Sequence, residues 1–271
     1  MVITALAPSV YGRLDASVRR SGAVTQRNFF ALRTGFWLVV VSGFAEPVLY
    51  LFSIGLGVGG LIDHMALPDG RQVSYAVYVA PAMLASSAMS GALSESTFNF
   101  FGKLKFMKLY DGVLATPVRP MEIAFGELFW AMARGAMYSA GFLVIMVLMG
   151  LTSWGWALVA LPASLLVGFS FGGLGMALST LMRSWQDFDL MAAIQLALFL
   201  FSGTFAPVSG YATGVRWLVE ATPLYHAVEL IRALTLGSLH PVLLVHAGYL
   251  VVMAAAGLAL AGTRMGRLLL H

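Results

Sequence analysis

The sequence has no cysteine among its 271 residues and very little charge. The lack of cysteine excludes disulfides, thiolate metal sites, iron–sulfur clusters and cysteine nucleophiles. Only 10% of the residues are charged and 59% are hydrophobic, with a mean hydropathy of +0.85. A soluble domain carries about 25% charged residues to cover its surface. We therefore expect the chain to fold in a lipid bilayer.

Motifs of soluble active sites are also missing. There is no GxxxxGK[ST] phosphate loop, because Gly102-Lys103 lacks the earlier glycine and the following Ser or Thr. There is no HExxH or GxSxG motif, and the five histidines are scattered. The pI is about 9.5, but the cations lie between apolar runs, which indicates membrane topology rather than a nucleic-acid surface. We expect no catalytic residue, metal ion, cofactor or nucleic acid on this chain.

Long apolar runs are the main feature of the sequence. A helix needs about 20 mostly apolar residues to cross a bilayer, and six runs are candidates. They cover residues 36–60, 74–101, 121–149, 155–181, 188–206 and 242–262. The predicted fold class is all-α, a polytopic membrane protein with six transmembrane helices in a single domain, residues 1–271.

The distribution of basic residues orients the predicted spans. With the N-terminus in the cytoplasm, twelve of the sixteen Lys and Arg residues fall in inner segments and three in outer ones, while Arg134 lies within a span. Cytoplasmic loops of membrane proteins carry an excess of Lys and Arg. The sequence therefore predicts that both termini are cytoplasmic.

Two segments outside the spans also have a membrane character. Residues 10–33 place apolar and basic residues at near-helical spacing, which predicts an amphipathic interface helix on the inner leaflet, or alternatively a disordered basic tail. Residues 207–241 are bounded by prolines, too polar to span the bilayer and too apolar for water. This pattern predicts a re-entrant or interfacial hairpin on the outer face.

Charged residues within or near the spans are candidates for function. A charge in the bilayer core is costly, so it usually faces protein or water. Glu46 precedes Pro47, which predicts a kink. Glu46 either lines a pathway, or it pairs with Arg134 or stays protonated, and the sequence leaves these alternatives open. Glu95 and Glu127 lie nearer the inner face, where an interfacial position explains them more simply.

A basic segment, residues 103–120, lies between the second and third spans and holds all three lysines. Its centre also carries an apolar stripe. One interpretation is a loop whose lysines only fix the topology. The other is a short helix beneath the membrane that docks into a groove on another protein.

Three blocks of sequence resemble the ABC-2 type exporter permeases. They are EPVLYLFSIGLGVGG at 46–60, STFNFFGKLKFMKLYDGVLATPVRPMEIAFGELFWA at 96–131, and LFSGTFAPVSGY at 200–211 followed by TPLYHAVELIRAL at 222–234. The order and spacing of these blocks cover nearly the whole chain. The resemblance is closest to the branch that includes nodulation lipo-oligosaccharide exporters and some drug-resistance permeases.

The resemblance implies a permease subunit of an ATP-driven exporter in the bacterial plasma membrane. A homodimer of the permease would work with two copies of a separate ABC ATPase, which would bind the ATP and Mg. Residues 103–118 would form the coupling helix, with ATPase contacts at Lys108, Tyr110, Asp111, Leu114, Thr116 and Pro117. The cargo would be amphipathic, lipid-linked or drug-like. A pathway between the first, second and fifth spans would be lined by Phe44, Glu46, Tyr50, Glu95, Phe199, Phe201 and Phe205.

Two other functions remain open on the sequence alone. The first is a lipid-modifying membrane enzyme, for which His226, Glu229 and Arg232 share a helical face at i, i+3 spacing. The second is a membrane scaffold that has the same fold but moves no substrate.

Overall fold

The computed structural model describes residues 10–32, 49–53, 57, 59, 62, 64–67 and 70–269. This part is almost wholly helical, and residues 49–53 form a short helical stretch. We label nine further α-helices in chain order: α1 (Val10–Leu32), α2 (Tyr75–Ser94), α3 (Leu109–Leu114), α4 (Pro120–Leu148), α5 (Trp154–Ser179), α6 (Asp187–Leu200), α7 (Thr213–Glu220), α8 (Pro223–Thr235) and α9 (Leu243–Leu269).

Three shorter helical segments and one hairpin complete the described structure. Two π-helical segments, Glu95–Asn99 and Gly102–Phe106, extend α2, and a 3-10 turn covers Val208–Gly210. The two strands of the described part, β1 (Met65–Ala66) and β2 (Gln72–Val73), pair antiparallel.

Four helices of the described part are long and apolar enough to cross a membrane: Tyr75–Phe106, Pro120–Leu148, Trp154–Ser179 and Leu243–Arg264. They match the second, third, fourth and sixth predicted spans. The prediction of an all-α membrane protein is thereby confirmed for the described residues. Most of the first predicted span, 36–60, lies outside them, so the number of six spans stays a prediction.

The fifth predicted span, 188–206, is shorter as a helix than the apolar run suggested. Helix α6 has 14 residues and ends at Leu200, which gives about 21 Å of helix against a hydrocarbon core of about 30 Å. The chain leaves the helix because Gly203 has φ +73° and its carbonyl accepts hydrogen bonds from Tyr78 and Arg232. Irregular backbone is tolerated at membrane depth when protein groups satisfy it in this way.

Small residues set the closest helix contacts in the bundle. A Cβ built on Gly257 of α9 would lie 2.5 Å from the backbone nitrogen of Leu174 in α5. The Ser170 hydroxyl of α5 donates 2.7 Å to the Leu250 carbonyl of α9. Gly173 of α5 takes part in the same close contact, because a Cβ there would lie 3.1 Å from the Ala254 carbonyl oxygen of α9.

The bundle has two distinct ends. At the α8 end, Thr152 donates to the Thr235 carbonyl at 2.7 Å, and Arg71 beside β2 donates to the Leu236 carbonyl at 3.3 Å. At the α3 end, α1 packs along the first turns of α4. A Cβ on Gly126 of α4 would lie 2.6 Å from the Val24 Cβ of α1, so this contact requires glycine.

Candidate functional site

The segment between α2 and α4 changes its helical winding twice before it turns. In the second π-helical segment, the Met107 amide donates to the Gly102 carbonyl at 3.0 Å, five residues back. Lys108 then adopts φ +45°, a left-handed conformation that is uncommon for a residue with a side chain. The six-residue helix α3 follows, and Pro120 begins α4 with Glu122 accepting the Arg119 amide at 2.9 Å. The left-handed residue separates α3 from the α2 axis.

The six predicted ATPase-contact residues fall into two groups in the structure. The exposed ones are Lys108, Asp111, Thr116 and Pro117. Leu114 is half-buried, and Tyr110 is 1% exposed and packs on Phe100 with ring centroids 5.4 Å apart. Tyr110 therefore faces the core beneath α3 and does not lie on its free surface. Exposed Phe106 and Met107, which sequence reasoning did not single out, lie beside that surface.

Glu127 is the central charge at the α3 end. It is 6% exposed and lies 2.6 Å from the Lys103 ammonium and 2.7 Å from the Arg27 guanidinium. The Asn28 amide donates a third bond at 3.0 Å. Burial, followed by the nearby Glu127 carboxylate, raises the pKa of the Tyr110 hydroxyl well above its usual value, so that this hydroxyl stays protonated. The Glu127 carboxylate thus connects α4 to α1 and to the end of the α2 extension.

A cavity of about 670 Å³ lies between residue 50, α2 with its extension, α4 and α6. This volume is within the range of ligand-binding pockets. Its lining includes polar side chains, which are Ser86, Ser87, Ser90, Ser94, Glu95, Thr97, Arg134, Tyr138 and Gln195. It also includes apolar and aromatic side chains, among them Tyr50, Met83, Phe98, Phe188, Met191, Leu196 and Phe199.

Three of the polar lining residues are serines at helical spacing in α2. Ser86, Ser90 and Ser94 recur every four residues, so they share a face of α2. The Ser86 hydroxyl and the Arg134 Nε are buried and make no hydrogen bond within the part of the chain that the structure describes. Buried polar groups are normally satisfied. Both residues line the cavity, so its wall includes two polar atoms that have no hydrogen-bond partner among the described residues.

Arg134 pairs with Glu95, which lines the same cavity. Glu95 also accepts a hydrogen bond from Asn99 at 2.8 Å, and Arg134 donates to the Tyr138 hydroxyl at 3.2 Å. The sequence left open whether Arg134 pairs with Glu46, and the structure gives it Glu95 as a partner. Glu46 itself lies outside the described residues.

The predicted pathway residues are only partly brought together. Tyr50, Glu95 and Phe199 line the cavity. Phe205 is next to it, with its ring centroid 5.2 Å from that of Phe199. Phe201 is 51% exposed and does not line the cavity. Phe44, like Glu46, lies outside the described residues.

Arg232 is a buried residue whose role the sequence did not reveal. Its guanidinium donates to the Tyr78 carbonyl at 3.2 Å, to Glu229 at 2.5 Å and to the Gly203 carbonyl at 2.8 Å. It also lies 4.0 Å from the centroid of the Tyr78 ring. Arg232 therefore ties α8 to α2 and to the loop after α6.

A pair of histidines joins α8 to α9. The Nδ1 atoms of His226 and His246 are 2.7 Å apart, and the Tyr249 ring stacks on His226 with centroids 4.1 Å apart. Burial, followed by the neighbouring His246, lowers the pKa of His226. Twenty residues separate the two histidines, so no short motif announces the contact.

These contacts bear on the enzyme alternative. Arg232 is engaged by backbone carbonyls and Glu229, and His226 is engaged by His246, so these candidate side chains already bind protein groups. Within the described residues there is also no group of three or more His, Asp or Glu placed to hold a metal ion. The geometry favours a structural role for this face of α8.

Comparison with known proteins places the chain in a family. The model of the ABC-2 type transporter family matches residues 20–236. Nodulation protein J of Rhizobium leguminosarum bv. trifolii is 33% identical over 221 residues, covering 81% of this chain and 82% of that protein. Nodulation protein J of R. leguminosarum bv. viciae is 30% identical over 250 residues, covering 90% and 95%. That of Rhizobium meliloti (strain 1021) is 30% identical over 217 residues, covering 80% and 81%.

The matched region runs from α1 to the end of α8 and includes both the cavity and the segment around α3. Four apolar helices of the described part are long enough to span a bilayer. The chain therefore belongs to the ABC-2 type transporter family and is a multi-pass membrane subunit of a transporter.

Proposed function

We propose that this chain is the permease of an ATP-driven exporter that moves an amphipathic, lipid-linked molecule out across the bacterial inner membrane. The observation that carries the proposal is the mixed polar and apolar lining of the 670 Å³ cavity. Hydroxyls and the Glu95–Arg134 pair suit a polar headgroup, and the aromatic and methionine side chains suit an acyl chain. The likeness to nodulation protein J supports a lipo-oligosaccharide as cargo.

The motor in this proposal is a separate ABC ATPase, present in two copies, which binds ATP and Mg. Permeases of this family work with such subunits. Two copies of this chain form the membrane part, with both termini in the cytoplasm. The docking surface for the ATPase is the exposed side of α3 with the turn before it, formed by Phe106, Met107, Lys108 and Asp111. Tyr110 and Leu114 support that surface from below, while Thr116 and Pro117 continue it.

The transport step is tested in inside-out membrane vesicles that contain the tagged chain and its native ATPase. The measurement is ATP-dependent accumulation of a fluorescent lipo-oligosaccharide. The cavity is then filled by Gly91→Phe, because Gly91 lines it and has open space at its Cβ. The matched control is Gly155→Phe, which also has open space but lies outside the cavity lining.

The proposal expects accumulation in the wild type and in Gly155→Phe, and its loss in Gly91→Phe with the ATPase still bound. Equal accumulation in Gly91→Phe would show that the cargo takes another route. No ATP-dependent accumulation in the wild type would contradict the exporter itself.

A further inference from the structure

Two ion pairs of opposite polarity join the extension of α2 to α4. Glu95 of the extension pairs with Arg134 of α4, and Lys103 pairs with Glu127 at 2.6 Å. On α4 the two partners are seven residues apart, so they lie within about 20° of each other on one helical face. They form two successive contacts along the same line.

The π-helical winding is what places both α2 residues on this line. Glu95 and Lys103 are eight residues apart, which in an α-helix would rotate them about 80° from each other. Each π turn takes in one residue more than an α turn. The segment Glu95–Asn99, which lies between the two residues, thus reduces this rotation. The π-helical winding therefore explains how both ion pairs can form on one side of α4.

The two pairs lie at functionally different places. Glu95 and Arg134 are part of the cavity wall. Lys103 lies five residues before the left-handed turn into α3, and its partner Glu127 also holds Arg27 of α1. The buried Tyr110 of α3 packs in the same core cluster as Ile123 and Leu128 of α4, on either side of Glu127 in sequence. The pairs therefore link the α3 surface to the cavity.

We propose that Lys103–Glu127 and Glu95–Arg134 are positioning pairs that make the α3 end of α2 and α4 a rigid lever. When α3 is displaced, the lever moves the cavity residues Glu95 and Arg134. The inference rests on the proposed function, because the displacement comes from the ATPase. Disrupting the Lys103–Glu127 pair leaves the cavity lining in place but disconnects it from α3, because neither residue lines the cavity.

The test uses the complex of the full chain and its ATPase, purified into lipid nanodiscs. The measurement is ATP hydrolysis with and without saturating fluorescent lipo-oligosaccharide, together with the cargo concentration that gives half of the stimulation. Lys103→Met is expected to lower the maximal stimulation about two- to thirtyfold and to leave the half-maximal cargo concentration unchanged. Lys103→Arg keeps the charge and the stimulation. Lys105→Met is the control, because Lys105 is an exposed lysine of the same π segment.

The Glu95–Arg134 pair provides a second test of the same proposal. Glu95→Gln is expected to lower the stimulation, and the exchange Glu95→Arg with Arg134→Glu is expected to restore it, since the hydrogen bonds from Asn99 and to Tyr138 involve uncharged side chains. If the two pairs act as one lever, the combined Lys103→Met and Glu95→Gln variant should lose no more stimulation than the more impaired single variant. The reason is that the effects of coupled sites are not additive. If Lys103→Met does not yield a folded complex, the comparison of Glu95→Gln with the exchange variant remains, and an exchange that restores no stimulation contradicts the role of the pair.

The outcomes separate the lever from the proposed function. If the wild-type chain purifies with no ATPase, the proposed function fails. If the wild type is stimulated by cargo and Lys103→Met is stimulated equally, the lever is contradicted. A double variant whose loss is the product of the two single losses contradicts it as well, because the pairs then act separately.

Discussion

The ammonium group of Lys103 lies 2.6 Å from the buried carboxylate of Glu127, inside the α3 end of the bundle. This lysine belongs to the basic segment that the sequence placed between the second and third spans. The other two lysines, Lys105 and Lys108, are exposed. The segment therefore has two parts, one that anchors it to α1 and α4 and one whose lysines are exposed.

The contact between α1 and α4 gives the first prediction. Gly126→Ala is expected to lower the free energy of unfolding by about 1–3 kcal/mol, because the new Cβ would lie 2.6 Å from the Val24 Cβ and 2.7 Å from the Ser21 carbonyl oxygen. The control is Gly135→Ala on the same helix, which has open space at its Cβ. Thermal unfolding in detergent measures the difference. Equal melting temperatures for the two variants would contradict the close packing of α1.

Arg232 gives the second prediction. Arg232→Met is expected to destabilise the protein by about 2 kcal/mol or more, since it removes charged hydrogen bonds to the Tyr78 and Gly203 carbonyls. Arg216→Met in α7 is the matched control. Its exposed pair with Glu220 contributes little, so the melting temperature should not change. If both variants have the same melting temperature as the wild type, Arg232 does not hold the loop after α6.

The left-handed turn at Lys108 gives the third prediction. Lys108→Gly is expected to keep or raise the melting temperature, because glycine adopts φ +45° without a steric cost. Lys108→Val is expected to destabilise by about 1–3 kcal/mol, because a β-branched residue is strained there. Equal stability of the two variants would show that this backbone conformation is not maintained.

The histidine pair gives a prediction about pH. The pKa of His226 is lowered in the folded state by burial and by His246, so the unfolded chain binds more protons once the pH falls below about 6.5. The contribution of His226 to stability is therefore expected to be constant above that pH and to decrease below it, down to the folded pKa. When His226 is protonated, both of its ring nitrogens donate, so its Nδ1 can no longer accept at the 2.7 Å contact with His246. The other titratable groups around the pair are Tyr225, Tyr249 and Glu229.

Melting temperatures between pH 8 and pH 5 check this prediction, with His226→Gln as the comparison. The variant should show a flatter dependence on pH in this range. A wild-type profile no steeper than that of His226→Gln would exclude the pair as its source.

The helices were predictable where composition alone decides them. The second, third, fourth and sixth spans are long apolar runs, and the structure has a helix at each one. The helix at Val10–Leu32 agrees with the predicted range of 10–33, because its apolar and basic residues recur at helical spacing. That α1 lies on the membrane surface stays a prediction, supported by the exposure of Val18, Phe29 and Phe30.

Features that depend on distant partners were not predictable from the sequence. The π winding of the α2 extension accompanies ion pairs with residues 24 and 39 positions away. The early end of α6 depends on Arg232, which donates a hydrogen bond to the carbonyl of Gly203, 29 residues earlier in the sequence. Local propensity contains neither contact. The cavity was predictable only as a general location between spans, and Arg134 and the serine face of α2 were missed as its lining.

Co-purification of ATP hydrolysis tests the central claim most directly. The tagged chain is purified from its native membranes in mild detergent, and vanadate-sensitive ATP hydrolysis is measured. The account predicts that the wild type brings down this activity and that Asp111→Arg on the exposed side of α3 loses it. Asp189→Arg, which changes an exposed carboxylate of α6, should retain it. A wild-type chain that purifies without ATP hydrolysis, or an Asp111→Arg variant that retains it fully, would contradict the account of α3 as the site of coupling.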